Sequence, residues 1–131
     1  MLNSKIVILC LVFFVLLFLS CSNQKMGLDK PLDASKFANE YISNIDKGNK
    51  KYKGEYITIS GEIWQSYSNK YNEKVIILIS SDEKYGVKCI LSPRVKPSEK
   101  PLKQGELVKI NGKCSGYEDY IVLTGCIILK N

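Results

Sequence analysis

A chain of 131 residues has room for one small domain around a single core and not for two. It carries 19 Lys+Arg against 13 Asp+Glu, a net charge of +6, and no histidine, which removes the usual general base, the usual metal ligand and the middle member of a hydrolytic triad. The basic excess does not single out nucleic acid, because lysines are scattered among acids along the whole chain and Arg94 is the only arginine, whereas phosphates and base edges are gripped best by arginine forks.

Met1 to Ser20 opens with a short segment carrying Lys5 and then runs without charge from Ile6 to Leu19. This is the n-region and h-region pattern of an export signal, and the run is too short to span a bilayer comfortably as a permanent helix. It ends in Phe18-Leu19-Ser20-Cys21, followed by the polar Ser22-Asn23-Gln24-Lys25. The segment resembles the lipobox of bacterial lipoproteins, with Phe18 where leucine is usual. The resemblance implies a diacylglyceryl group on the Cys21 thiol, cleavage between Ser20 and Cys21, and acylation of the new amino group. Two or three acyl chains would hold the protein stably on the inner or outer membrane of a cell envelope. An ordinary secretory signal cut nearby and an uncleaved N-terminal anchor are the alternatives. Cys10 would leave with the leader. The division expected is a signal peptide over residues 1–20, a lipidated tether over 21–32 and one domain over 33–131.

Asp33 can cap a helix, and Ala34, Phe37, Ala38, Tyr41, Ile42 and Ile45 recur after it at three- and four-residue spacing, so they share one face. One amphipathic helix is expected, ending near Asp46-Lys47-Gly48, where glycine permits the terminating conformation. From Tyr56 the period becomes two: Ile57, Ile59, Gly61 and Ile63 point one way, Tyr56, Thr58, Ser60, Glu62 and Trp64 the other. Gly61 marks a bend or bulge in this first long strand. Tyr67 to Glu73 reads as a turn. Lys74 to Ser80 reads as a short strand buried on both faces. After a turn at Ser81 to Tyr85, Gly86 to Ser92 turns Val87, Cys89 and Leu91 inward and Lys88 and Ile90 outward. Pro93 to Pro101, with three prolines, is a loop. Glu106 to Tyr117 alternates Val108, Ile110, Gly112 and Cys114 against Lys109, Asn111 and Lys113, and pairs with Tyr120 to Leu129 through a turn at Glu118-Asp119.

The fold class is therefore mainly β with one N-terminal α-helix: a small five-stranded OB-fold-like barrel, with an SH3-like barrel as the alternative. The order of strand pairing is left open. The pieces Lys51-Tyr52-Lys53-Gly54, Ile57 to Ile63, Lys103-Gln104-Gly105-Glu106, Val108 to Tyr117, and Val122-Leu123 before Cys126 resemble the tRNA_anti-like family of OB-fold-type proteins, over roughly residues 37–129. The resemblance implies the barrel more firmly than any activity, and it brings no catalytic residue and no cofactor.

The outward side chains Tyr56, Trp64, Tyr67 and Lys88, with Tyr71 nearby, are the ligand-contact candidates, since an OB barrel meets its ligands on this face. Packing against the barrel end or the helix is the competing role for these rings. Cys89, Cys114 and Cys126 lie inside strands without the spacing of a zinc or redox motif, so no metal is expected. A disulfide between Cys114 and Cys126 across the last hairpin is the leading pair, with a pair using Cys89 and free thiols as alternatives. The adjacent acids Asp82-Glu83 and Glu118-Asp119 sit in turns and point apart. The expectation is a noncatalytic binding module at the envelope, partnered by the membrane through Cys21 and by a protein, peptide or glycan; a nucleic-acid ligand and a structural role in an envelope complex are the other readings.

Overall fold

The computed structural model describes residues 3–18, 30–79, 86–96 and 101–129. Cys21 and its cleavage site, the turn expected at 81–85 and positions 97–100 of the proline-rich connection lie outside the described residues. The apolar N-terminal run forms α1 (Ser4–Phe18), with large side chains such as Leu9 and Phe13 exposed. No helix among the described residues is long and apolar enough to cross a membrane.

The end of the predicted tether is already part of the sheet. Leu32 and Asp33 form β1, running parallel to β2 (Tyr56–Ser68) opposite Ile59 and Ser60. Asp33 also caps α2 (Ala34–Ser43), its carboxylate accepting from the Lys36 N–H at 3.1 Å.

Where one helix is expected, two form. Asn44 leaves helical geometry (φ −153°, ψ 94°) and its side chain accepts from the Lys47 N–H, opening α3 (Ile45–Tyr52). The break turns Ile45 out to solvent, whereas Ala34, Phe37, Ala38 and Tyr41 stay buried. Gly48 does not end the helix. It lies inside α3, and a Cβ there would sit 2.6 Å from the Tyr41 ring, so glycine serves close approach. The terminating left-handed glycine is Gly54 (φ +90°), whose N–H donates to the Cys114 carbonyl at 2.8 Å.

The remaining strands are β3 (Lys74–Ile79), β4 (Gly86–Leu91), β5 (Leu107–Glu118) and β6 (Tyr120–Leu129). Their order is β1-β2-β3-β4-β6-β5, and β2 pairs again with β5 to close the ring. Apart from the short β1 this is a closed five-stranded barrel of the OB type, with β4 and β6 parallel and the other long-strand pairs antiparallel. The OB alternative therefore holds over the SH3-like one.

Three details of β2 differ from the simple alternation. The bulge is at Trp64, the extra residue between the pairs Ile63↔Leu78 and Gln65↔Ile77, and not at Gly61. Gly61 instead gives room to Ala34, whose Cβ would be 2.8 Å from a Cβ at position 61. Past the bulge the strand continues through Tyr67, paired with Val75, and Ser68. The turn itself is short and is organised by Asn69, whose Oδ1 accepts from the N–H groups of Tyr71 and Glu73, each at 3.0 Å.

Helices α2 and α3 close one end of the barrel with a three-ring cluster. Phe37 meets Tyr52 edge-on at 4.9 Å and Tyr41 edge-on at 5.7 Å, while Tyr41 and Tyr52 stack at 5.9 Å. These rings pack on Ile57, Ile59, Ile110, Ile121 and Leu123 in one continuous core. The opposite end is covered by the connection between β4 and β5, which lends the half-buried Val95 and Leu102.

Candidate ligand-binding face

The sheet has an outward side that is unusually apolar on β3. Ile76 and Leu78 face the barrel interior and belong to the core, so Val75 and Ile77 must face out, yet they are only 0% and 3% exposed. Register explains the shielding. Ile77 stands between Gln65 of β2 and Lys88 of β4, and Val75 between Tyr67 and Ile90. Across each pair, side chains on one face are close enough to lie over their neighbour. The result is an apolar strip bordered by the Tyr67 ring and the Lys88 ammonium, with Val122 of β6 continuing the row beyond Lys88.

The sequence-predicted site residues therefore separate. Tyr67 and Lys88 share this strip, on strands two apart and thus about 10 Å between backbones. Trp64, on the bulge, is 43% exposed at the strip's margin. Tyr56 is elsewhere: it pairs with Lys113 on the β2–β5 seam, with the Lys113 Nζ 6.0 Å from its ring centre. Tyr71 is 72% exposed in the β2–β3 turn, beneath Lys70 at 5.0 Å. Gln65, Val75, Ile77 and Ile90 were not among the expected site residues. Their only sequence signal is the unbroken apolar run of β3, which gives no indication of what lies over it.

The buried cysteines are arranged differently from the expected hairpin bridge. Cys114 stands opposite Leu123, and bulges on both sides of this position shift the hairpin so that Cys126 is out of step with Cys114. Cys114 aims its thiol at the Tyr41 hydroxyl oxygen, 3.9 Å away, and the Tyr41 hydroxyl in turn donates to Asn49 Oδ1. Cys126 lies against Gly112 and interacts with Cys89. All three are free thiols. The hydrogen bond with Cys126, then burial, pushes the Cys89 thiol well above its ordinary value, and burial raises Cys114 despite the Gly116 backbone, the Tyr41 hydroxyl and Lys53 nearby. Both keep their protons at neutral pH, and neither is an activated nucleophile. Among the described residues no group of His, Cys, Asp and Glu could hold a metal ion.

With the barrel order and its outward strip established, the family model for tRNA_anti-like proteins matches residues 1–127. The chain belongs to the tRNA_anti-like family. The match reaches further toward the N-terminus than the resemblance read from the motifs, taking in the apolar N-terminal run as well as the barrel. Neither the curated proteins nor the solved structures contain a match. The tRNA_anti-like family gathers OB-fold-type binding domains and is not a known family of enzymes. Its name likens it to tRNA-binding domains and assigns no ligand to this chain.

Proposed function

We propose that this tRNA_anti-like domain is an exported lipoprotein, cut before Cys21 and anchored by lipid on that cysteine, and that it binds an extended peptide or glycan segment noncatalytically on the outward strip of β2, β3 and β4. The observation that carries the binding part is that Tyr67 and Lys88 stand on one outward face of β2 and β4, on either side of β3. This face is where OB-type barrels hold extended ligands such as oligosaccharides. The anchoring part rests on the uncharged run to Leu19 and the Ser20-Cys21 junction.

Intact mass of the protein purified from its native membrane tests the anchor. A mass equal to the chain from Cys21 plus diacylglyceryl and acyl groups is expected, and an unlipidated or uncleaved chain overturns it. A photo-crosslinking residue placed at Tyr67, compared with one at Tyr56, tests the face. One discrete envelope adduct from position 67 alone is expected; equal labelling from both positions, or none, removes the strip as the binding surface.

A single-stranded oligonucleotide is the second reading, favoured by the Tyr67 ring and the Lys88 charge on one OB face. It requires binding that weakens steeply with salt and is lost in the variant combining Tyr67→Ala with Lys88→Glu. Absence of binding to single-stranded DNA and RNA at low ionic strength ends it.

A further inference from the structure

The barrel is filled unevenly. At the helix end, Phe37, Tyr41 and Tyr52 are buried in the core, and Gly48 makes room for the Tyr41 ring. At the other mouth, the strand ends leave Leu91 of β4 and Ile128 of β6 pointing under the β4–β5 connection, with Val95 and Leu102 as a partial roof. Between this roof and the β2–β3 turn is a cavity of about 730 Å³. That lies within the roughly 300–1,000 Å³ of pockets that hold small molecules, and barrel mouths are a favoured place for them.

The lining has two parts. Leu91, Val95, Leu102 and Ile128, with Pro93 and Pro101, make an apolar interior. Lys74 and Lys96 are exposed at the rim, and neither forms an ion pair among the described residues. Among the described residues the one acid on the rim is Glu73, which accepts from the Asn69 side-chain N–H at 2.8 Å. The described rim is thus net positive, with two ammonium groups beside an apolar interior. An alkyl group alone would leave both ammonium groups unused, and a cationic headgroup would be repelled.

We propose that this mouth is a binding site for a single-chain anionic amphiphile, its alkyl chain among Leu91, Leu102 and Ile128 and its carboxylate at Lys74 and Lys96. A free monoacyl anion fits better than a bilayer lipid, because a cavity of about 730 Å³ is of the size that encloses a small molecule whole. The site is separate from the outward strip and does not depend on what that strip binds.

The test is a titration of the full chain, reconstituted in nanodiscs, with decanoate below its micelle concentration, using empty nanodiscs as the reference for partitioning. Methyl resonances of Leu91, Leu102 and Ile128 report occupancy of the mouth. Saturable shifts confined to these methyls are expected, with decanol binding more weakly than decanoate. The variant combining Lys74→Glu with Lys96→Glu changes only surface charge and should weaken decanoate by roughly tenfold or more, the loss of charge-assisted contacts. Leu102→Trp should fill the cavity and abolish the shifts. Decanoate and decanol binding equally, or decanoate binding unaltered by the double lysine variant, overturns the anionic site even if Leu102→Trp fails to fold. Shifts spread over the whole barrel, or seen equally in a sample whose mouth is filled, overturn the location.

Discussion

The two ends of the barrel solve the same problem in opposite ways. At the helix end there is no space for a methyl group at two glycines: a Cβ on Gly48 would be 2.6 Å from the Tyr41 ring, and one on Gly61 2.8 Å from Ala34 of α2. At the mouth, a proline-containing connection roofs a cavity of about 730 Å³. A ring seated against Gly48 and a helix seated against Gly61 gain dispersion and hydrophobic burial, whereas a roof over a void loses contacts on one side. Stability is therefore concentrated where the helices enter, which leaves the other end free to receive a ligand.

Truncation should make the contrast largest. Tyr41→Ala removes a fully buried ring, its stack on Tyr52 and its contact with Cys114, and should cost about 3–5 kcal/mol in denaturant unfolding. Leu102→Ala at the half-buried roof should cost about 1 kcal/mol or less, because part of its surface already faces space. Equal losses at the two ends would dissolve the comparison.

A methyl addition comes next. Alanine is ordinarily better than glycine inside a helix by about 1 kcal/mol. Gly48→Ala should reverse that sign and destabilise by roughly 1–3 kcal/mol, since the Tyr41 ring has nowhere to move. A raised unfolding midpoint would mean that the helix end is looser than its contacts indicate.

Asn44→Ala follows, at about 1 kcal/mol, from losing the bond to the Lys47 N–H that opens α3. Asn44→Asp, which keeps an acceptor at the cap, should restore most of it in the same thermal scan.

The smallest effect is electrostatic. Glu40 sits 2.6 Å from Lys51 and accepts from the Tyr52 hydroxyl; the Lys51 hydrogen bond above all holds its carboxyl below the ordinary value of 4.5, against a desolvation penalty and with a lesser contribution from Tyr52. A lowered carboxyl contributes stability that is present above its unfolded value and fades as pH falls through the lowered one. Both partners are half-exposed, so solvent screens the pair. Glu40→Gln should therefore lower the midpoint at neutral pH by a small amount and leave it unchanged at the acid end, flattening the acid limb of the stability profile below pH 4.5; a large shift at neutral pH would place more stability in this surface pair than in the cap.

Much of this was legible in advance. Period-two segments marked the long strands, and the inward set Val87, Cys89 and Leu91 is buried as read. The helix break was not legible, because Asn44 lies in a run whose spacing stays helical through Ile45, and only the tertiary fit of Tyr41 against Gly48 shows which role that glycine plays. Trp64 escaped for a similar reason. A bulge adds one residue to one strand, and the sequence of that strand alone does not show that its partner lacks a counterpart. Tyr67 and Lys88 were among the residues expected to face outward, but the face they share with Val75 and Ile77 depends on which strands are neighbours. The cysteine partners depend on the same order, and so does the mouth, whose lining comes from four separate stretches of chain.

The seam between β2 and β5 has a consequence in time. Its pairs join residues such as Thr58 and Asn111, whose side chains are hydrogen-bonded at 3.0 Å although they are 53 positions apart in the chain. Every other antiparallel pairing in the ring joins consecutive strands, so it can zip from a turn or a connecting loop. The seam must instead wait until the chain has folded back across its own length, paying loop-closure entropy before the first contact is rewarded. Closure of the ring is thus expected to be slow, and a lesion at Thr58 or Asn111 should delay folding of a newly made chain as well as weaken the finished one.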